Sequence, residues 1–143
     1  MTASTVPAPA VTTTAGPDAI LFTREVRISQ VGPLLDADPP KTAYGSAADV
    51  YMGGSNPPKI FVHYDPEPTL AEWTKPGMPT RGQCADLVST QPLSHLEVKK
   101  GMVVCIMTLQ GRIAVFTVLS TTDDYNIGLM TQMTVWSEVS STS

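Results

Sequence analysis

The last third of the chain, residues 101–136, constrains the fold most strongly. Three runs rich in Val, Ile, Met, Phe and Thr are separated by two turn signals, Gln110-Gly111 and residues 123–126. Short β-branched runs bounded by Gly, Asn and Asp are typical of strands joined by hairpins. We therefore predict a three-stranded antiparallel meander here, with Gly111 at a positive φ in the first turn.

The first strand of this meander is apolar on both faces. Val103, Cys105 and Met107 alternate with Val104 and Ile106, which is the pattern of a central strand covered on both sides. The fold expected from this pattern is all-β, either a compact barrel or a two-layer sandwich of six or seven strands.

One short helix is predicted near residues 80–90. Thr80 is a good N-cap residue, and Cys84, Leu87 and Val88 recur with helical spacing on one face. Upstream of the helix, the alternation of apolar and polar residues predicts strands. Three segments upstream of the helix have this pattern, 19–28, 48–52 and 59–64, and residues 95–98 just after the helix have it as well.

Two upstream segments are predicted to lack regular structure. We interpret residues 31–40 as a turn that contains the apolar pair Leu34-Leu35. Residues 65–79 carry four prolines, which predict an irregular excursion. We expect Leu70 and Trp73 to fold this excursion back onto the body, because a long unanchored loop is uncommon in a compact domain.

The length of 143 residues is enough for one domain. We expect residues 1–17 to be a disordered Thr/Pro/Ala-rich arm or linker, since their small residues bury little surface. A single β domain is then expected over residues 18–138, followed by a disordered tail over 139–143.

Charge and hydropathy exclude two classes of partner. The net charge of −4 argues against nucleic acid, because phosphate binding needs clustered Lys and Arg. No apolar run is long enough for direct membrane insertion. The segment 1–16 lacks a basic start and an apolar core, so it is not a signal peptide; it resembles tethers of secreted domains, and an ordinary flexible tail is the alternative.

Cys84 and Cys105 are the strongest candidates for residues with a defined chemical role. Their chemistry leaves three states open: a disulfide, two buried free thiols, or half of a metal site that lacks further ligands at suitable spacing. A disulfide would join the predicted helix to the central strand and would contribute about 3 kcal/mol in the chain-entropy model.

Two histidines lie two residues from an acid, His63 before Asp65 and His95 before Glu97. An imidazole oriented by a carboxylate can act as a general base or a metal ligand. A solvent-facing histidine beside a solvent-facing acid is the favoured interpretation. We therefore predict no catalytic, cofactor-binding or metal-binding residue, no cofactor, and no enzymatic activity.

Two acidic pairs could supply oxygen ligands to Ca²⁺: Asp36 with Asp38, and Asp123 with Asp124. A calcium loop needs further spaced oxygens and usually a Gly at its bend. Neither segment has them, and both are interpreted as turns.

A set of short motifs lies along the chain: Gln83-Cys84-Ala85, Gly101 to Cys105, Thr108, Gly111-Arg112, Ala114, Val135-Trp136 and, upstream, Leu35 to Asp38 and Asp49 to Tyr51. With these motifs the chain resembles a family of small β-rich actinobacterial domains, mostly of unknown function. In this family a C-terminal block reads Cys, then Gly and Cys, then Thr, Gly-Arg and a final Val-Trp.

The resemblance implies an extracytoplasmic domain that hangs from a membrane helix by a Pro/Thr-rich linker. It also implies that Cys84 is paired with Cys105, but it supplies no active site. The expected function is thus a non-enzymatic extracytoplasmic binding or sensor module of a membrane-anchored parent, with a protein or a cell-envelope ligand as partner.

Two other functions compete with this expectation. The first is a structural or assembly subunit, which forms a homo-oligomer when the N-terminal arm of each copy packs into a neighbouring copy. A hydrolase that uses His63 or His95 is the third hypothesis. A cytoplasmic location stays open.

Overall fold

The computed structural model describes residues 19–36, 38–44, 49–55, 57–62, 70–93, 95–108, 110–122, 124 and 126–139. The predicted arm, residues 1–17, and residues 140–143 of the predicted tail lie outside this part. Ten strands and one helix are described: β1 (Ile20–Ile28), β2 (Val31–Leu34), β3 (Lys41–Tyr44), β4 (Val50–Ser55), β5 (Pro58–Val62), β6 (Leu70–Trp73), α1 (Arg81–Thr90), β7 (His95–Glu97), β8 (Val103–Met107), β9 (Arg112–Ser120) and β10 (Leu129–Val139).

The strands form three antiparallel sheets. The largest has five strands in the order β1-β10-β9-β8-β6, a second has the order β4-β5-β7, and β2 and β3 form a separate hairpin. Because β8, β9 and β10 are neighbours in both sequence and space, the predicted C-terminal meander is confirmed.

The five-stranded sheet is the middle layer of the molecule. On β8, Val104 and Ile106 point into the main core, to which Met52 and Ile60 of the three-stranded sheet also contribute. Cys105 points to the opposite face and packs in a second cluster together with Val88 of α1, Val115 and Trp136. The prediction that β8 is covered on both faces is therefore confirmed.

The all-β class with one short helix is confirmed, and of the two architectures predicted the sandwich is the one present. The five-stranded sheet does not close on itself, since β1 and β6 are its two edges. A barrel would require these edges to pair with each other.

The strand count is higher than the predicted six or seven, because two predicted irregular segments contain strands. The segment predicted as a turn, residues 31–40, contains β2, which forms a hairpin with β3 directly after that segment: Val31 pairs with Tyr44 and Leu34 with Lys41. The predicted excursion contains β6, where Leu70 pairs with Ile106 of β8. Such four-residue strands have too few residues to show alternation, and β6 pairs with a strand far away in the sequence.

The helix begins and ends as its sequence predicts. The hydroxyl of Thr80 accepts a hydrogen bond from the backbone N–H of Gln83 (3.1 Å), and the side-chain carbonyl of Gln83 accepts one from the N–H of Thr80 (2.8 Å). This reciprocal capping box satisfies two of the free donors at a helix start. On the face toward the sheet, Cys84 and Val88 are buried.

The turn between β8 and β9 also follows its prediction. Gly111 has a φ of 89°, and its N–H donates to the carbonyl of Thr108 (2.9 Å). The N–H of Thr108 in turn donates to the carbonyl of Arg112 (2.8 Å), which closes the hairpin.

Candidate functional site

The cysteine pair forms a disulfide. Cys84 of α1 is bonded to Cys105 of β8, with a Cα–Cα distance of 5.3 Å, and both residues are fully buried. This is the pairing that the family resemblance implies. The bond fixes α1 covalently to the face of the five-stranded sheet that lies opposite the main core.

Of the two histidine–acid pairs, His63 and Asp65 lie outside the described residues. His95 and Glu97 occupy alternate positions of β7, and both are exposed. The imidazole of His95 stacks on the ring of Phe61, with 5.4 Å between ring centroids. The pair therefore belongs to the outer surface of the three-stranded sheet.

The two carboxylates of the first acidic pair, Asp36 and Asp38, bind different partners. The carboxylate of Asp36 accepts hydrogen bonds from the hydroxyl of Thr108 (2.6 Å), the guanidinium of Arg112 (2.9 Å) and the N–H of Gln110 (3.2 Å). Asp38 instead forms an exposed ion pair with Arg24 of β1.

In the second acidic pair, Asp123 lies outside the described residues, and the carboxylate of Asp124 accepts a hydrogen bond from the N–H of Asn126 (2.8 Å). Within the described part of the chain, no three His, Cys, Asp or Glu residues come together as a set that could hold a metal ion.

A row of three rings crosses the outer face of the three-stranded sheet, one ring from each strand. Phe61 of β5 stacks on Tyr51 of β4 (centroids 5.6 Å apart, planes 19° apart) and on His95 of β7 (5.4 Å, 25°). We call these three residues the aromatic face. The row follows from the strand register, because Phe61 is the cross-strand partner of both Tyr51 and His95.

Two further features shape the aromatic face. The ring of Phe61 lies over Gly53, where an added Cβ would be 2.4 Å from the ring, so the glycine lets the ring lie close to the β4 backbone. Lys59 and Glu97 are cross-strand partners at alternate positions from Phe61 and His95, so they place one cation and one anion beside the rings.

A groove separates α1 from β6 and from the segment that follows β6. We call it the α1–β6 groove; it is a half-open cavity of about 140 Å³ lined by Glu72, Trp73, Thr74, Lys75, Gln83, Asp86, Leu87 and Gln91. Its floor is the half-buried ring of Trp73, whose indole N–H donates to the carbonyl of Gly77 (2.9 Å). The wall formed by α1 is held in place by the disulfide.

No helix in the part of the chain that the structure describes has the length and hydropathy of a membrane crossing. Comparison with known proteins adds no relative: no family model matches the chain, and no curated protein or solved structure is significantly similar to it.

Both surfaces were missed as sites by sequence reasoning. The alternation within β4, β5 and β7 places Tyr51, Phe61 and His95 at outward positions, but the pattern of each strand does not reveal which strands are neighbours. Trp73 was predicted only to pack back onto the body. The structure places it in a groove because β6 pairs with β8 beside α1.

Proposed function

We propose that the chain is a non-enzymatic extracytoplasmic binding or sensor module of a membrane-anchored parent, and that it binds a cell-envelope glycan at the aromatic face. The observation that carries the proposal is the row of Tyr51, Phe61 and His95. The five-stranded sheet has a layer on each side, whereas the outer face of the three-stranded sheet carries half-exposed and exposed rings. Exposed apolar patches rimmed by polar groups mark binding surfaces.

A glycan is the ligand class that suits these groups. One face of a pyranose ring presents C–H groups, which pack against aromatic rings, and its edges present hydroxyls. Rigid rings supply contact area at low cost in conformational entropy, and the side chains of Lys59 and Glu97 supply hydrogen-bond partners for hydroxyls. The ring centroids are 5.6 and 5.4 Å apart along the row, so the rings offer an extended surface and not a pocket for a single small molecule.

The proposal is tested by calorimetric titration of the protein with the peptidoglycan tetrasaccharide built from two GlcNAc–MurNAc units. The wild type is expected to bind, and Phe61→Ala is expected to weaken binding about tenfold or more, a loss of about 1.4 kcal/mol, because Phe61 is the central ring. Lack of binding by the wild type would contradict the proposal.

A matched control is Trp73→Ala, which removes an aromatic ring from the α1–β6 groove and leaves the aromatic face intact. This variant is expected to bind the tetrasaccharide as the wild type does. Equal losses in the Phe61 and Trp73 variants would show that binding does not take place at the aromatic face. Far-UV circular dichroism verifies that both variants keep the strand content.

An assembly subunit is the second candidate, and the observation that favours it is the nine-residue edge strand β1. Arg24 opposes strand addition at this edge. It lies between the buried residues Phe22 and Val26 on the core-facing side, yet it is exposed and paired with Asp38, and charged side chains on the inward side protect sheet edges. Light scattering separates the candidates: a monomer or dimer supports the module, and a large closed assembly supports the subunit.

A further inference from the structure

The α1–β6 groove already holds a cation on its aromatic floor. The ammonium of Lys75 lies 5.8 Å from the centroid of the Trp73 ring, within the range of a cation–π interaction. The hydrogen bond from the Trp73 indole N–H to Gly77 fixes the orientation of the ring. The face of the Trp73 ring is therefore already oriented to bind a positive charge, and the exposed side chain of Lys75 lies against it in the free protein.

One carboxylate, that of Asp86 on α1, lines the same groove. Glu72 precedes Trp73 on β6, so its side chain lies on the other face of the sheet, as does that of its cross-strand partner Val104, which packs in the main core. Among the described residues Asp86 forms no ion pair. The groove thus combines an aromatic ring with one carboxylate that has no ion-pair partner in the described part of the chain.

The size of the cavity limits what can enter. Sites for drug-sized ligands measure roughly 300–1,000 Å³, and the cavity here is about 140 Å³. This is room for one side chain. The amides of Gln83 and Gln91 and the apolar side chain of Leu87 complete the lining, so the groove suits a group with an apolar stem and a charged, hydrogen-bonding end.

We propose that the α1–β6 groove binds a basic side chain, Lys or Arg, of a protein partner, and that this side chain displaces Lys75 from the ring of Trp73. The acidic balance of the chain, −4 at neutral pH, favours encounter with a basic partner. In the free protein, Lys75 is then an intramolecular competitor that binds the Trp73 ring until the partner's side chain displaces it. This site is separate from the aromatic face and does not depend on glycan binding.

The test follows the indole N–H signal of Trp73 by ¹H–¹⁵N NMR during titration with a short acetylated peptide, Gly-Gly-Arg-Gly-Gly amide. The chain has two tryptophans, and Trp136→Phe assigns the two signals. We expect the Arg peptide to shift the Trp73 signal in a saturable manner. A peptide with citrulline in place of Arg keeps the shape without the charge and is expected to cause little shift.

Variants of the groove give the sharpest outcome. Lys75→Met removes the competing cation and is expected to tighten binding of the Arg peptide about threefold. Asp86→Asn is expected to weaken binding about threefold. The matched controls are the single variants Lys59→Met and Glu97→Gln, which make the same changes of charge on the three-stranded sheet and are expected to bind the Arg peptide as the wild type does.

The inference is overturned by an equal response to the Arg and citrulline peptides, or by a Lys75→Met variant that binds no better than the wild type. An unchanged affinity in the Asp86→Asn variant would also overturn it. Well-dispersed amide signals show that each variant is folded. Failure of the tetrasaccharide to bind bears only on the aromatic face and leaves this inference intact.

Discussion

At the scale of single residues, Asp36 connects two distant parts of the chain. Its carboxylate lies after β2 and accepts hydrogen bonds from three groups around the β8–β9 turn. The side chains of Asp36 and Arg112 are only 11% and 18% exposed, so water screens their ion pair little. The Nε–H of Arg112 also donates to the carbonyl of Ser137 on β10 (3.0 Å), which extends this network across the sheet.

Asp36→Ala is therefore expected to lower the free energy of unfolding by about 2–3 kcal/mol, because it leaves the largely buried guanidinium of Arg112 without its carboxylate partner. Urea denaturation measures the change. Asp38→Ala is the matched control, since its ion pair with Arg24 is 38–44% exposed and such pairs contribute about 0–1 kcal/mol. Similar losses in the two variants would contradict this account of the Asp36 cluster.

Gly111 is the second residue whose replacement has a defined cost. Its φ of 89° is a conformation that side chains disfavour, so Gly111→Val is expected to destabilise the protein by about 1–2 kcal/mol or more. Thermal unfolding followed by circular dichroism measures the loss. Gly82→Val is the control, because Gly82 has no positive φ and a side chain there meets open space; a loss as large as that of Gly111→Val would show that backbone strain is not the cause.

At the scale of elements, the disulfide determines how α1 is attached. The helix has ten residues and few apolar positions, and an isolated helix of this length is marginal in water. Its attachment to the sheet depends on Cys84, Val88 and the cluster around Cys105. Because α1 also forms one wall of the α1–β6 groove, the bond maintains the shape of the groove.

Reduction of the wild type is expected to lower the free energy of unfolding by about 3 kcal/mol, from the chain-entropy estimate for a cross-link between residues 21 apart. Urea titrations with and without reductant measure this difference. A Cys84→Ala/Cys105→Ala variant controls for other effects of the reductant and should show no response. Identical midpoints for oxidised and reduced wild type would contradict the prediction, provided that alkylation shows two thiols only after reduction.

At the scale of the whole molecule, local sequence patterns predicted the elements better than their arrangement. The meander, the capped helix and the turn at Gly111 depend on neighbouring residues, and all three are confirmed. β6 was missed because Leu70 and its neighbours are flanked by prolines and pair with β8, thirty or more residues later. The β2–β3 hairpin was missed because its strands have four residues each.

The candidate sites were less predictable than the fold for the same reason. The aromatic face takes one ring from each of three strands, and the register of β4, β5 and β7 alone makes Tyr51, Phe61 and His95 neighbours. The α1–β6 groove requires both the pairing of β6 with β8 and the docking of α1. Each arrangement depends on contacts between distant segments, which no single run of residues encodes.

The pairing of β1 with β10 has a mechanical consequence. Ile20 at the start of β1 pairs with Trp136 near the end of β10, and Ile28 pairs with Leu129, so the two strand ends where the chain enters and leaves the sheet lie together. A force that pulled these ends apart would peel β1 from β10 one hydrogen-bonded pair at a time. A force applied between one of these ends and the three-stranded sheet would instead load the packed layers together. The architecture thus resists a force between a strand end and the three-stranded sheet better than a force between these two strand ends.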